Sequence, residues 1–103
     1  MDKIKKLQEY LGRQPEDTFL MHALALEYVK INDLQAAKAW FERVLTIDAG
    51  YTGTYYHLAK LLETIGAKED AIGVYERGME ACRAAGDQHA YRELQAAYED
   101  LIY

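Results

Sequence analysis

Residues 18–51 read TFLMHALALEYVKINDLQAAKAWFERVLTIDAGY, and residues 52–85 read TGTYYHLAKLLETIGAKEDAIGVYERGMEACRAA. Laid over each other at a shift of 34 residues, the two segments agree at helix-facing positions. Thr18 falls on Thr52, Leu24 on Leu58, Ala25 on Ala59, Ile31 on Ile65, Ala37 on Ala71, Glu42 on Glu76 and Arg43 on Arg77. Phe41 meets Tyr75, Leu45 meets Met79, and Asn32 meets Gly66. Self-similarity at such a period marks a chain built from stacked copies of one supersecondary unit.

The same helical spacing extends outward from the two copies. Ile4, Leu7 and Leu11 form a stripe ahead of them, and Tyr91, Leu94, Tyr98 and Leu101 form one behind. The period stays near 3.6 residues, and no stretch alternates with a period of two. Pro15 stops the first stripe and Asp17 can cap the next helix. Asn32 and Gly66 follow stripes and tolerate the left-handed conformation that closes helices. Asp48-Ala49-Gly50 and Gly86-Asp87 supply the remaining turns. The pattern predicts six helices, at 2–13, 17–31, 34–47, 52–65, 68–84 and 87–102.

These residues resemble the tetratricopeptide repeat. The first copy offers Met21, Leu24, Ala25, Tyr28, Ala37 and Phe41, and the second Tyr55, Leu58, Ala59, Leu62, Ala71 and Tyr75. Small residues suit the crossing of two paired helices, because a larger side chain would wedge the backbones apart. The resemblance implies an all-α fold, a right-handed superhelix of antiparallel helices. The expected layout is a partial repeat at 1–17, repeats at 18–51 and 52–85, and a terminal capping helix at 86–103. Two departures stand out. The family's closing proline is missing at Ala49 and Arg83, and the last stripe lies 36 rather than 34 residues beyond its counterpart. The extra residues are expected in the turn around Ala84–Asp87. Gln95 then takes the place of Ala25 and Ala59, as suits a helix with no partner crossing it. Gly73 and Gly78 interrupt a predicted helix, and the expectation for them is close packing, with a hinge as the functional alternative.

Composition removes several function classes. The chain has 103 residues, 12 Lys and Arg against 17 Asp and Glu, and a formal net charge of −5. A nucleic-acid binder needs cations to displace counterions, and the only dense basic run is Lys3, Lys5 and Lys6 on an amphipathic helix, so no nucleic-acid partner is expected. One cysteine, Cys82, excludes an intrachain disulfide and fits a reducing compartment. No signal-peptide core and no run near the ~20 apolar residues of a membrane span are present, so no membrane partner is expected and a cytoplasmic location is the default.

No phosphate loop, metalloprotease motif or nucleophile elbow occurs, so neither catalysis nor a cofactor is expected. Cys82 reads as a buried, inert thiol. His22, His57 and His89 sit at different places within their repeats, which argues against a metal site. In the family, the first helix of each repeat lines a concave groove that holds peptides or partner helices. The resemblance places Phe19, His22 and Leu26, then Gly53, Tyr56 and Lys60, then His89, Arg92 and Ala96 along that groove, with His57 beside them. Lys60 and Arg92 could pair with a carboxylate, and the aromatic members could anchor an apolar side chain. The competing reading of Phe19 and Leu26 is burial beneath the first helix. The carboxylate clamp of some family members is not reproduced, since its places hold His22, Leu26, His57, His89 and Glu93. The function expected is therefore a protein-interaction module binding a peptide or helix of another protein. The alternative is an assembly subunit that forms homodimers through its terminal helices, a reading suggested by apolar Ile102 and Tyr103.

Overall fold

The computed structural model describes residues 2–103. They form six α-helices: α1 Lys3–Arg13, α2 Thr18–Lys30, α3 Leu34–Ile47, α4 Thr52–Thr64, α5 Lys68–Ala85 and α6 Gln88–Ile102. No strand occurs among the described residues, so the all-α expectation holds. The helices gather into two compact units, the first running to Asp48 and the second spanning Ala49–Tyr103. In the first unit α2 pairs with α3, and α1 lies against α2. In the second, α4 pairs with α5, α5 with α6, and α4 also touches α6.

The turns follow from a few residues. Asn32, Gly66 and Gly86 adopt φ of 62°, 83° and 72°. Each is followed by the same pair of hydrogen bonds. Asp33 N–H donates to the Tyr28 carbonyl at 2.9 Å and Asn32 N–H to Val29 at 2.9 Å; Ala67 pairs with Leu62 at 2.8 Å and Gly66 with Glu63 at 3.1 Å; Asp87 pairs with Cys82 at 2.9 Å and Gly86 with Arg83 at 3.2 Å. This is the Schellman closure, which satisfies the last carbonyls of a helix when one residue enters the left-handed region. Helix starts are capped by aspartates. Asp17 accepts from Leu20 N–H at 3.1 Å, Asp33 from Ala36 at 3.2 Å and Asp87 from Ala90 at 3.1 Å. Helix α5 has no side-chain cap but carries Glu69 and Asp70 in its first turn, where the helix dipole favours anions.

The small residues sit where the paired helices need them. Ala25 and Ala37 in the first unit, and Ala59 and Ala71 in the second, are wholly buried. Around them the first unit buries Leu11, Met21, Leu24, Phe41, Val44 and Leu45, and the second Tyr55, Leu58, Leu61, Leu62, Val74, Tyr75, Cys82 and Leu94. At about 25 cal/mol per Å² of apolar surface removed from water, these side chains supply the main driving force for folding.

Among the tyrosines of the stripes, Tyr55 and Tyr75 are core residues with a polar end, and Tyr28, Tyr91 and Tyr98 are half-buried. The hydroxyl of Tyr28 accepts from Gln8 at 3.2 Å, Tyr55 donates to the Ala49 carbonyl at 2.5 Å, and Tyr98 donates to Glu76 at 3.1 Å. Tyr75 donates to Glu63, and Tyr91 accepts from Arg83 at 3.0 Å. A buried ring is tolerated because its hydroxyl keeps a partner.

The structure departs from the sequence pattern at three places. Ile31 and Ile65, which extend the apolar stripes, are 61% and 38% exposed, because each sits at the C-cap where the closing turn lifts it from the core. The two extra residues near Ala84–Asp87 are absorbed by the helix rather than the turn: α5 runs to Ala85, and only Gly86 and Asp87 separate it from α6. The glycines of α5 also differ. A Cβ on Gly78 would lie 2.7 Å from the Cβ of Tyr55 and 2.9 Å from Cδ1 of Leu94, so close packing demands glycine there. A Cβ on Gly73 would meet nothing within 4 Å, so close packing does not explain that residue.

Candidate functional site

The residues proposed for the groove fall on α2 in the first unit and on α4 and α6 in the second. On α2, Phe19 is 67% exposed, which removes the reading that α1 covers it. Leu26 is half-buried. His22 is also half-buried, and its ring lies 5.6 Å from that of Phe41 on α3, tilted by 58°. His22 is therefore tied to the packing of its own hairpin.

Tyr56, His57, Lys60, His89 and Arg92 all belong to the second unit, and α4 and α6 touch. Tyr56 is half-buried and meets the ring of His57 edge-on, at 5.8 Å and 85°. His57, Lys60, His89 and Arg92 are exposed. The ammonium of Lys60 is 3.8 Å from the carboxylate of Glu63, one turn on. Gly53, in the first turn of α4, has open space beside it, and Ala96 on α6 is exposed.

Glu93 is missing from the expected groove set, although it is the acidic residue of this face. Its carboxylate stands 3.5 Å from Nε2 of His89. It also acts on His57 across the two helices: desolvation holds the His57 pKa below its ordinary value, and Glu93 pulls it partly back. The signal in the sequence was the spacing of four residues between His89 and Glu93, which puts both on one helix face. The set thus joins two fixed cations, Lys60 and Arg92, two histidines and the ring of Tyr56 with two carboxylates, Glu63 and Glu93. Among the described residues no group of three or more His, Cys, Asp or Glu side chains is arranged to hold a metal ion. Cys82 is buried, and desolvation followed by the charge of Asp87 raises its thiol pKa. No helix among the described residues is long and apolar enough to cross a membrane.

Comparison with known proteins agrees with the repeat architecture. A family model for the tetratricopeptide repeat matches residues 20–51. A tetratricopeptide repeat domain protein from Salinibacter ruber, solved in solution, is 42% identical over 85% of this chain and 89% of its own, with a TM-score of 0.82. The chain belongs to the tetratricopeptide-repeat family. The TPR2B domain of yeast Sti1, in complex with pHsp70, shares the fold with a TM-score of 0.88 over 95% of this chain and 78% of that one, at 17% identity. Among curated proteins, Protein DIA2 of Eremothecium gossypii is 30% identical over 89 residues, 86% of this chain. The chain spans 13% of the length of that relative.

Proposed function

We propose that this chain is a protein-interaction module without catalysis of its own, and that the α4–α6 face holds an acidic, extended segment of another protein. The observation that carries the reading is that exposed Lys60, His57, His89 and Arg92 stand with half-buried Tyr56 on the touching helices α4 and α6, in a molecule with five more acidic than basic residues. Lys60 and Arg92 can anchor a carboxylate at short range by charged hydrogen bonds, and the ring of Tyr56 can hold an apolar side chain beside it. The shared fold with the Sti1 domain, which is found in complex with pHsp70, supports the use of such a scaffold for recognition.

The test begins with an affinity pull-down from the source cell to obtain the partner. Its affinity is then measured by calorimetry for the unmodified protein, Tyr56→Ala and Lys60→Glu. A loss of about tenfold or more is expected for each, the size typical of a central interface residue. Unchanged affinity in both variants removes this face as the site.

A further inference from the structure

A cavity of about 400 Å³ opens between the end of α5 and the start of α6, wholly within the second unit. That volume lies in the range of small-ligand pockets. Its α6 wall is made by Gln88, Tyr91, Arg92 and Gln95, spaced three and four residues apart and so on one side of the helix. His89 and Glu93 point along a different side, and Arg92 stands on the border between the two.

Three observations give the cavity a chemical preference. First, the guanidinium of Arg83 at its rim is already engaged. It is 2.9 Å from Glu80, donates to the Tyr91 hydroxyl at 3.0 Å, and lies 5.3 Å from the centre of the Tyr91 ring. Second, Arg92 has no ion-pair or hydrogen-bond partner among the described residues, and the amides of Gln88 and Gln95 flank it one turn away on either side. Third, the one acidic group in the lining is already engaged. Asp87 spends one oxygen on the Ala90 N–H at 3.1 Å and the other on the Thr52 hydroxyl at 2.9 Å. The lining therefore offers an uncommitted planar fork of donors and two neutral donors. Cys82 and the ring of Tyr91 add apolar wall. A bare ion would leave most of that volume empty.

We propose that this cavity binds a carboxylate carried on a short apolar body, with Arg92 as the bidentate anchor and Gln88 and Gln95 as flanking donors. The carboxylate comes from either a peptide C-terminus or a small free acid. The site shares Arg92 with the α4–α6 face, but none of its other lining residues belongs to that face, and the proposal does not rest on that reading.

The experiment is an amide-detected NMR titration of the full chain with N-acetyl-alanyl-leucine, its C-terminal amide, and 4-methylpentanoate. Saturable shifts are expected at Gly86, Gln88 and Gln95 with the free-acid dipeptide, and at least tenfold weaker binding of the amide. Arg92→Gln and Gln95→Glu, both changes at exposed side chains, should weaken the acid at least tenfold, while Lys60→Glu leaves it unchanged. Equal binding of 4-methylpentanoate identifies a free acid as sufficient; preference for the dipeptide identifies a peptide terminus. The proposal is overturned if the unmodified protein shows no saturable shift, if acid and amide bind alike, or if Arg92→Gln binds the acid as the unmodified protein does. Because Lys60→Glu tests the other surface, the two readings fail independently.

Discussion

Alanine placed at Gly73 and at Gly78 subjects one helix to the same chemical change in two environments. In a helix interior, Gly→Ala is worth about 0.5–1 kcal/mol in favour of the folded chain, through backbone entropy. At Gly73 nothing lies within 4 Å of the added methyl, so the whole gain should appear. At Gly78 the methyl would fall 2.7 Å from Cβ and 2.9 Å from Cγ of Tyr55, and 2.9 Å from Cδ1 of Leu94. Comfortable carbon contacts are about 3.5–4.0 Å, so each overlap is close to an ångström. The Leu94 methyl can swing aside, but the Cβ of Tyr55 moves only with the backbone of α4, so the helices must separate. Overpacking of this kind costs about 1–3 kcal/mol, and with a Cβ fixed to the backbone of α4 among the overlapping atoms the upper part of that range applies, which leaves a net loss of up to about 2.5 kcal/mol after the entropic gain. Urea unfolding followed by circular dichroism gives both values directly, provided the slope of the transition is unchanged. Gly73→Ala should raise the midpoint and Gly78→Ala should lower it. A Gly78→Ala variant as stable as Gly73→Ala would refute the packing argument and, with it, the account of how α4, α5 and α6 meet.

Tyr75→Phe removes the hydroxyl that Tyr75 donates to Glu63, whose half-buried carboxylate keeps Lys60 nearby, and should cost about 0.5–1.5 kcal/mol in the same assay. His57 should titrate below its ordinary value of 6.5 in a proton NMR titration, and Glu93→Gln should lower it further by removing the charge that opposes desolvation. Because the folded state resists protonation, His57 contributes stability that is full above pH 6.5 and declines as pH falls through the lower folded value. Cys82, buried and with its thiol pKa raised, should resist a maleimide at neutral pH in the folded chain and label quickly in urea; rapid labelling without denaturant would contradict its burial.

Much of this architecture is legible locally. A helix stripe, an aspartate before it and a residue able to turn left-handed after it are all short-range signals, and each predicted helix lies within two residues of its observed bounds. Ala25, Ala37, Ala59 and Ala71 were readable because small residues recurring at one period imply a crossing. The misses involve information that is not local. Ile31 and Ile65 continue the stripe by spacing, yet the turn ends the helix before the core can reclaim them. Gly73 and Gly78 look alike in sequence, and only the positions of Tyr55 and Leu94 separate them. On the candidate surface, residues could be assigned to helix faces and the spacing of His89 and Glu93 was readable, but the action of Glu93 on His57 appears only where α6 meets α4. The cavity beside Arg92 depends on how α5 ends, four residues past the point that corresponds to the end of α3, and no periodicity announces that extension.

Three joints in this molecule use an identical pair of hydrogen bonds, and each asks for a single residue in an unusual backbone state, met by asparagine in one case and glycine in two. Such a joint makes no demand on the side chains of the helices it connects. Two of these joints, at Asn32 and Gly66, lie inside a helical hairpin and the third links α5 to α6, so one backbone device serves connections of different rank and leaves the helix sequences free to diverge around it.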